Sequence, residues 1–168
     1  MLKKIALLVV LFALPLGAMA QKFAHMNSQE VIVAMPEYTK AQADLEAMSK
    51  QYQEEMQRSQ AEFNKKVQEF QQQADSLPKN IADRRQKELQ DMAQRQEEFQ
   101  QDAYQNMQKA QQDALVPIYK KLDEAIQAVG KAEGVIYIFD LARTSIPYVN
   151  ESQSINLTSK VKANLGIK

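Results

Sequence analysis

The chain has no cysteine, no tryptophan, a single histidine and only four glycines in 168 residues. Without cysteine there is no disulfide framework, no thiolate nucleophile and no soft-metal site. His25 sits among apolar neighbours in a short strand-like run, where a lone imidazole reads as a packed strand residue rather than a base or ligand. Beyond residue 20 the glycines are Gly130, Gly134 and Gly166, too scattered to cradle a phosphate. Nucleotide-driven action is therefore not expected, and no cofactor is implied. Charge of one sign is also missing: 21 basic residues face 21 acidic ones, and without Lys3 and Lys4 the balance is 19 against 21. Such a chain has no dominant field for nucleic acid or anionic lipid. Carboxylates are plentiful, but Glu54 with Glu55, Glu97 with Glu98, and Asp123 with Glu124 are neighbours in sequence. Adjacent positions on a helix point about 100° apart, so these pairs do not converge on a substrate. Asp140, at the end of an apolar run, reads as a cap or buried acceptor. An enzyme is not expected.

Long hydrophobic runs are scarce as well. Lys3 and Lys4 precede an apolar stretch from Ile5 to Leu16, and Ala18-Met19-Ala20 supplies a small-x-small cleavage pattern. Residues 1–20 read as a signal peptide too short to span a membrane. The mature chain is expected to start at Gln21 and to reside, soluble, in the periplasm or outside the cell.

A long helical period dominates the middle of the chain. From Tyr38 to Leu77 apolar positions recur with a mean step of about 3.55 residues, between the coiled-coil and straight-helix values. Ser76-Leu77-Pro78-Lys79-Asn80 interrupts it, and a second stripe from Ala82 to Ala114 repeats the same step, with Arg85 and Gln96 as polar breaks. Each arm spans very roughly 55–60 Å. Two arms of matching length around a tight turn predict an antiparallel helical hairpin over residues 37–116, its tip near 76–80. Nineteen Gln lie between Glu37 and Pro117, and a solvated, uncharged helix surface is their plain reading. Around the tip Lys79, Arg84, Arg85, Lys87 and Arg95 outnumber Asp83, Glu88 and Asp91. That mild excess allows transient contact with a membrane or lipid headgroup, although ordinary surface charge explains it too.

Both ends of the mature chain read differently. Lys22 to Met26 is strand-like, Asn27 and Glu30 form a capping-box pattern, and Pro36 suits a first helical turn. Pro117 kinks rather than ends the return helix, and Gly134 stops it. Val135 to Asp140 reads as a strand buried on both faces, and Thr144 to Val149 as an edge strand bent by Pro147. Asn156 can cap a last short helix. A small sheet is expected from the segments of Phe23, Ile138 and Tyr148, with open edges that copies of the same sheet would cover. The fold class is α+β, mainly α. Its divisions are 21–36 with 117–168 as a β-containing body, and 37–116 as hairpin.

This order of parts, with K-F-A-H-M-N-S-Q-E near the start, M-P-E-Y entering the first arm, G-V-I-Y-I-F-D, P-Y-V-N-E and I-N-L-T-S-K-V-K near the end, resembles the Skp/OmpH family of periplasmic chaperones. The resemblance covers essentially the whole mature chain. It implies a homotrimer whose strands form a β-barrel-like core, with Phe23, Val135, Ile136, Tyr137, Ile138, Phe139 and Tyr148 as candidate trimer-body residues. It also implies an ATP-independent holdase whose hairpins enclose unfolded outer-membrane proteins. Met48, Met56, Met92 and Met107 would offer adaptable apolar contacts. Tyr52, Phe63, Phe70, Phe99 and Tyr104, spread along the arms, either touch client or glue the arms together. Family members are often strongly basic, whereas this chain is near neutral, so no lipopolysaccharide patch carries over. The competing reading is a structural or adaptor coiled coil of the envelope, docking a folded partner at a concentrated hot spot.

Overall fold

The computed structural model describes residues 22–167, so the segment read as a signal peptide lies outside the described residues. Two compact units divide the chain, one formed from residues 22–29 and 124–166 and one from residues 30–123.

The first unit holds a three-stranded, all-parallel sheet. β1 (Phe23–Met26) is central, flanked by β2 (Tyr137–Asp140) and β3 (Ser154–Asn156). Phe23 lies beside Tyr137 on one edge and Ser154 on the other, and His25 beside Phe139 and Asn156. Backbone bonds extend the ladders, from Leu141 N–H to Met26 C=O at 2.8 Å and from Leu157 N–H to His25 C=O at 2.9 Å. Side chains alternate across a sheet. The face of Ala24 and Met26 is closed, both residues being fully buried, as are Leu157 and Val161 of the closing segment. The opposite face is only partly covered: His25 is buried, whereas the rings of Phe23, Tyr137 and Phe139 are exposed.

Helix ends in this unit follow local chemistry. Asn27 Oδ1 accepts the Gln29 N–H at 3.1 Å at the start of α1 (Ser28–Ile32), and the Asn27 N–H donates to Thr158 Oγ1. Asp140 Oδ1 accepts from Ser28 N–H at 3.0 Å and from Ala142 N–H at 3.1 Å, so this carboxylate caps two segments at once.

In the second unit α2 (Pro36–Gln73) and the first part of α3 (Lys79–Glu133) form a helical hairpin. Pro36 occupies the first helical turn, where its missing N–H leaves nothing unpaired. A 3₁₀ turn (Ala74–Ser76) closes α2, with Ser76 Oγ donating to Gln73 C=O at 2.9 Å. Leu77 is extended, as the residue before a proline prefers, and Pro78 leads into α3. The α3 helix continues through Pro117 for 55 residues. Its end is a Schellman arrangement: Gly134, at φ 64°, donates to Lys131 C=O while Val135 N–H reaches Gly130 C=O. The final helix, α4 (Thr158–Asn164), begins where Asn156 Oδ1 accepts the Thr158 N–H at 3.0 Å.

Two expectations change. The third strand is Ser154–Asn156, not Thr144–Val149, which carries no ladder. Pro147 has no N–H to give a ladder, and a turn at Asn150, whose C=O accepts from Ser154 N–H at 2.9 Å, aims the later residues along β1. The apolar run after Gly134 is also not buried on both faces. Its strand is confined to residues 137–140, pairs on one side only, and leaves Ile136, Tyr137 and Phe139 exposed.

Candidate functional site

Antiparallel register along the hairpin is fixed by contacts that retreat along α3 as they advance along α2. Lys121 donates to Glu37 near the proline. Farther out, the rings of Tyr52 and Phe99 meet edge-on at 5.8 Å. Gln96 Nε2 donates to Ser59 Oγ at 3.1 Å, and Lys66 Nζ lies 2.6 Å from Glu88 Oε1. The Lys121 ammonium holds the Glu37 carboxyl below the usual carboxylate range by hydrogen bonding to it. Lys66 does the same to Glu88, and that carboxylate in turn raises the Lys66 ammonium above its ordinary value.

Most of the apolar stripe lies at or beside this seam. Met92 is buried, and Met48, Tyr52, Phe63, Phe70, Phe99 and Met107 are half-buried. Met56 and Tyr104 are exposed. Near Pro117 the seam opens into a groove of about 440 Å³ lined by Met35, Leu45, Met48, Ala114 and Ile118, with Glu37 and Lys121 at its rim. Ala41, Ala110 and Ala114 lack the volume to fill it. Val116 and Tyr119, also exposed, belong to neither stripe and escaped the periodic reading. Their signal was an apolar side chain out of phase with its neighbours.

On the open sheet face, His25 is buried with Nδ1 2.9 Å from Ser154 Oγ. Tyr148 sits in irregular chain, 77% exposed, and lines a hollow of about 350 Å³ with Phe23, Phe139 and Ile146. Val135 and Ile138 are half-buried. The trimer-body candidates thus fall on both faces of the sheet, and the aromatic ones gather on the open face or beside it. No helix among the described residues is long and apolar enough to cross a membrane.

Comparison with known proteins agrees with this architecture. A crystal structure from Caulobacter crescentus, of a protein assigned as an OmpH-like outer membrane chaperone, superposes with a TM-score of 0.75. It shares 17% identity over 89% of this chain and 86% of its own, so the likeness is one of fold. No curated protein matches the sequence. The family profile described as outer membrane protein, OmpH-like, matches residues 22–165, nearly all of what the structure describes. The chain belongs to the OmpH-like family.

Proposed function

We propose that this protein is a periplasmic, ATP-independent holdase that binds unfolded outer-membrane proteins and keeps them from aggregating before insertion. The observation that carries the reading is the uncovered aromatic face of an all-parallel sheet. Parallel sheets are ordinarily buried on both faces, and this one presents Phe23, Tyr137 and Phe139 to solvent, with two short edges unpaired among the described residues. Copies of the same unit would cover that face and those edges, as the resemblance to trimeric chaperones implies. Residues 21–36 and 117–168 then supply the trimer body, and 37–116 a tentacle that bounds a cavity. Family membership, and a solved relative of the same fold named as an outer membrane chaperone, support binding rather than catalysis.

The test mixes the purified mature protein with an outer-membrane barrel protein diluted from urea, without nucleotide, and follows turbidity. Holding at stoichiometric trimer is the expected result. Aggregation indistinguishable from buffer rejects the function.

A further inference from the structure

Four large apolar side chains are exposed among the described residues from 37 to 123: Met56, Tyr104, Val116 and Tyr119. Three of the four fall on one strip of α3. At about 100° per residue, Tyr104, Gln108, Gln112, Leu115, Val116 and Tyr119 occupy about a third of the helix circumference. Between Gln101 and Tyr119 that strip carries no charge. The charges of the same stretch, Asp102, Lys109 and Asp113, all project on the adjoining flank, as does Lys120 just beyond it. The seam residues Ala103, Met107, Ala110 and Ala114 lie on the third side. This portion of the helix therefore has a seam, a charged flank and a neutral face of glutamine amides and aromatic rings. Its first two members are already joined, Gln108 Nε2 donating to the Tyr104 hydroxyl at 2.7 Å.

We propose that this neutral face of α3 is the surface that takes hold of unfolded polypeptide, binding main chain through its glutamines and side chains through its tyrosines. The proposal rests on the holdase reading and names where on the hairpin it acts. An unfolded chain displays unpaired N–H donors and C=O acceptors at every residue. A carboxylate can only accept and an ammonium can only donate, whereas a glutamine amide does both and is itself a peptide-like group. A row of them matches a main chain running in either direction and of any sequence. The absence of charge matters equally, because an ionised group covered by an apolar segment loses its water without a partner. Tyr104, Leu115, Val116 and Tyr119 meet the client's apolar side chains between the amides. The charged flank keeps the empty helix soluble. A near-neutral chaperone thus binds without long-range attraction.

The experiment compares the full mature protein with the double variant Gln108→Glu/Gln112→Lys in the barrel-protein turbidity assay. The pair preserves net charge, and Glu placed four residues before Lys suits a helix as well as Gln does. The variant should melt within a degree or two of wild type, yet need about fivefold more protein to halve aggregation, since several weak bonds are lost together. The same charge pair placed elsewhere, Gln53→Glu/Gln57→Lys on α2, should hold like wild type. Wild-type holding should change by less than about twofold between low and high salt. A Gln108→Glu/Gln112→Lys variant that holds as well as wild type overturns this proposal alone, as does strong weakening of wild type by salt. Wild type that never holds overturns the function and the proposal with it.

Discussion

Gly134 shows how a single position can end a helix of 55 residues. Its φ of 64° is open to glycine and strained for any L side chain, and nothing surrounds the site that would resist a methyl group. Gly134→Ala should therefore cost about 1–2 kcal/mol through the backbone alone, read as a lower midpoint in urea unfolding. Four residues earlier, a Cβ at Gly130 would stand 3.0 Å from Ile138 Cδ1, so this glycine lets the helix lie close against β2. The larger change Gly130→Val should destabilise more than Gly130→Ala, because a branched side chain cannot be absorbed by a shift of one methyl. Side-by-side thermal melts of the two variants decide it. Of the two, only Gly134 was legible in the sequence, as a helix stop. The contact to Ile138 was not, since nothing local says which strand returns to the helix.

At the scale of elements, the hairpin was the most legible part. Its period is written into consecutive residues, and Pro78 marks the turn. The same regularity hid the exposed residues, because a stripe reports what faces the partner helix and is silent about Val116 and Tyr119 on the other sides. Strand pairing was harder still. The segment Thr144–Val149 has the composition of a strand, but β1 pairs instead with Ser154–Asn156, a choice made over more than a hundred residues of separation. Charge across the hairpin gives it a pH dependence. Glu37 and Glu88 titrate below their ordinary value in the folded protein, so their pairs add stability above about pH 4.5, the unfolded value. That contribution disappears as pH falls through the lowered folded values. Lys66 is raised, so its share is fully present below its ordinary value and is lost as pH rises through the folded one. Circular dichroism melts between pH 5 and pH 3 should show a small decline that shrinks at high salt, as befits exposed pairs. The same decline in Glu37→Gln/Glu88→Gln would assign it to other groups.

For the molecule as a whole, the proposed assembly turns on the exposed rings of the sheet. Phe139→Asp places a charge where copies are proposed to meet, and light scattering should then report monomer, against trimer expected of the parent chain. A parent chain that is itself a folded monomer would refute the assembly. Excision of residues 50–107, joined by a short flexible link, should leave the trimer intact and abolish holding. Retained holding by the shortened protein would remove the hairpin from the mechanism. The sequence could suggest the need for partners through its short strands, but it could not show that the rings of Phe23, Tyr137 and Phe139 share one side.

β1 sits between two strands that are made last. Synthesis delivers Phe23–Met26 early and Ser154–Asn156 more than a hundred residues later. The hairpin can close from contacts near in sequence, while the sheet must wait for Ser154–Asn156. A product broken off before Ser154 thus keeps the hairpin but lacks the third strand of the sheet. Topology thereby makes the sheet, and not the hairpin, the part of the fold that registers whether all three strand segments are present.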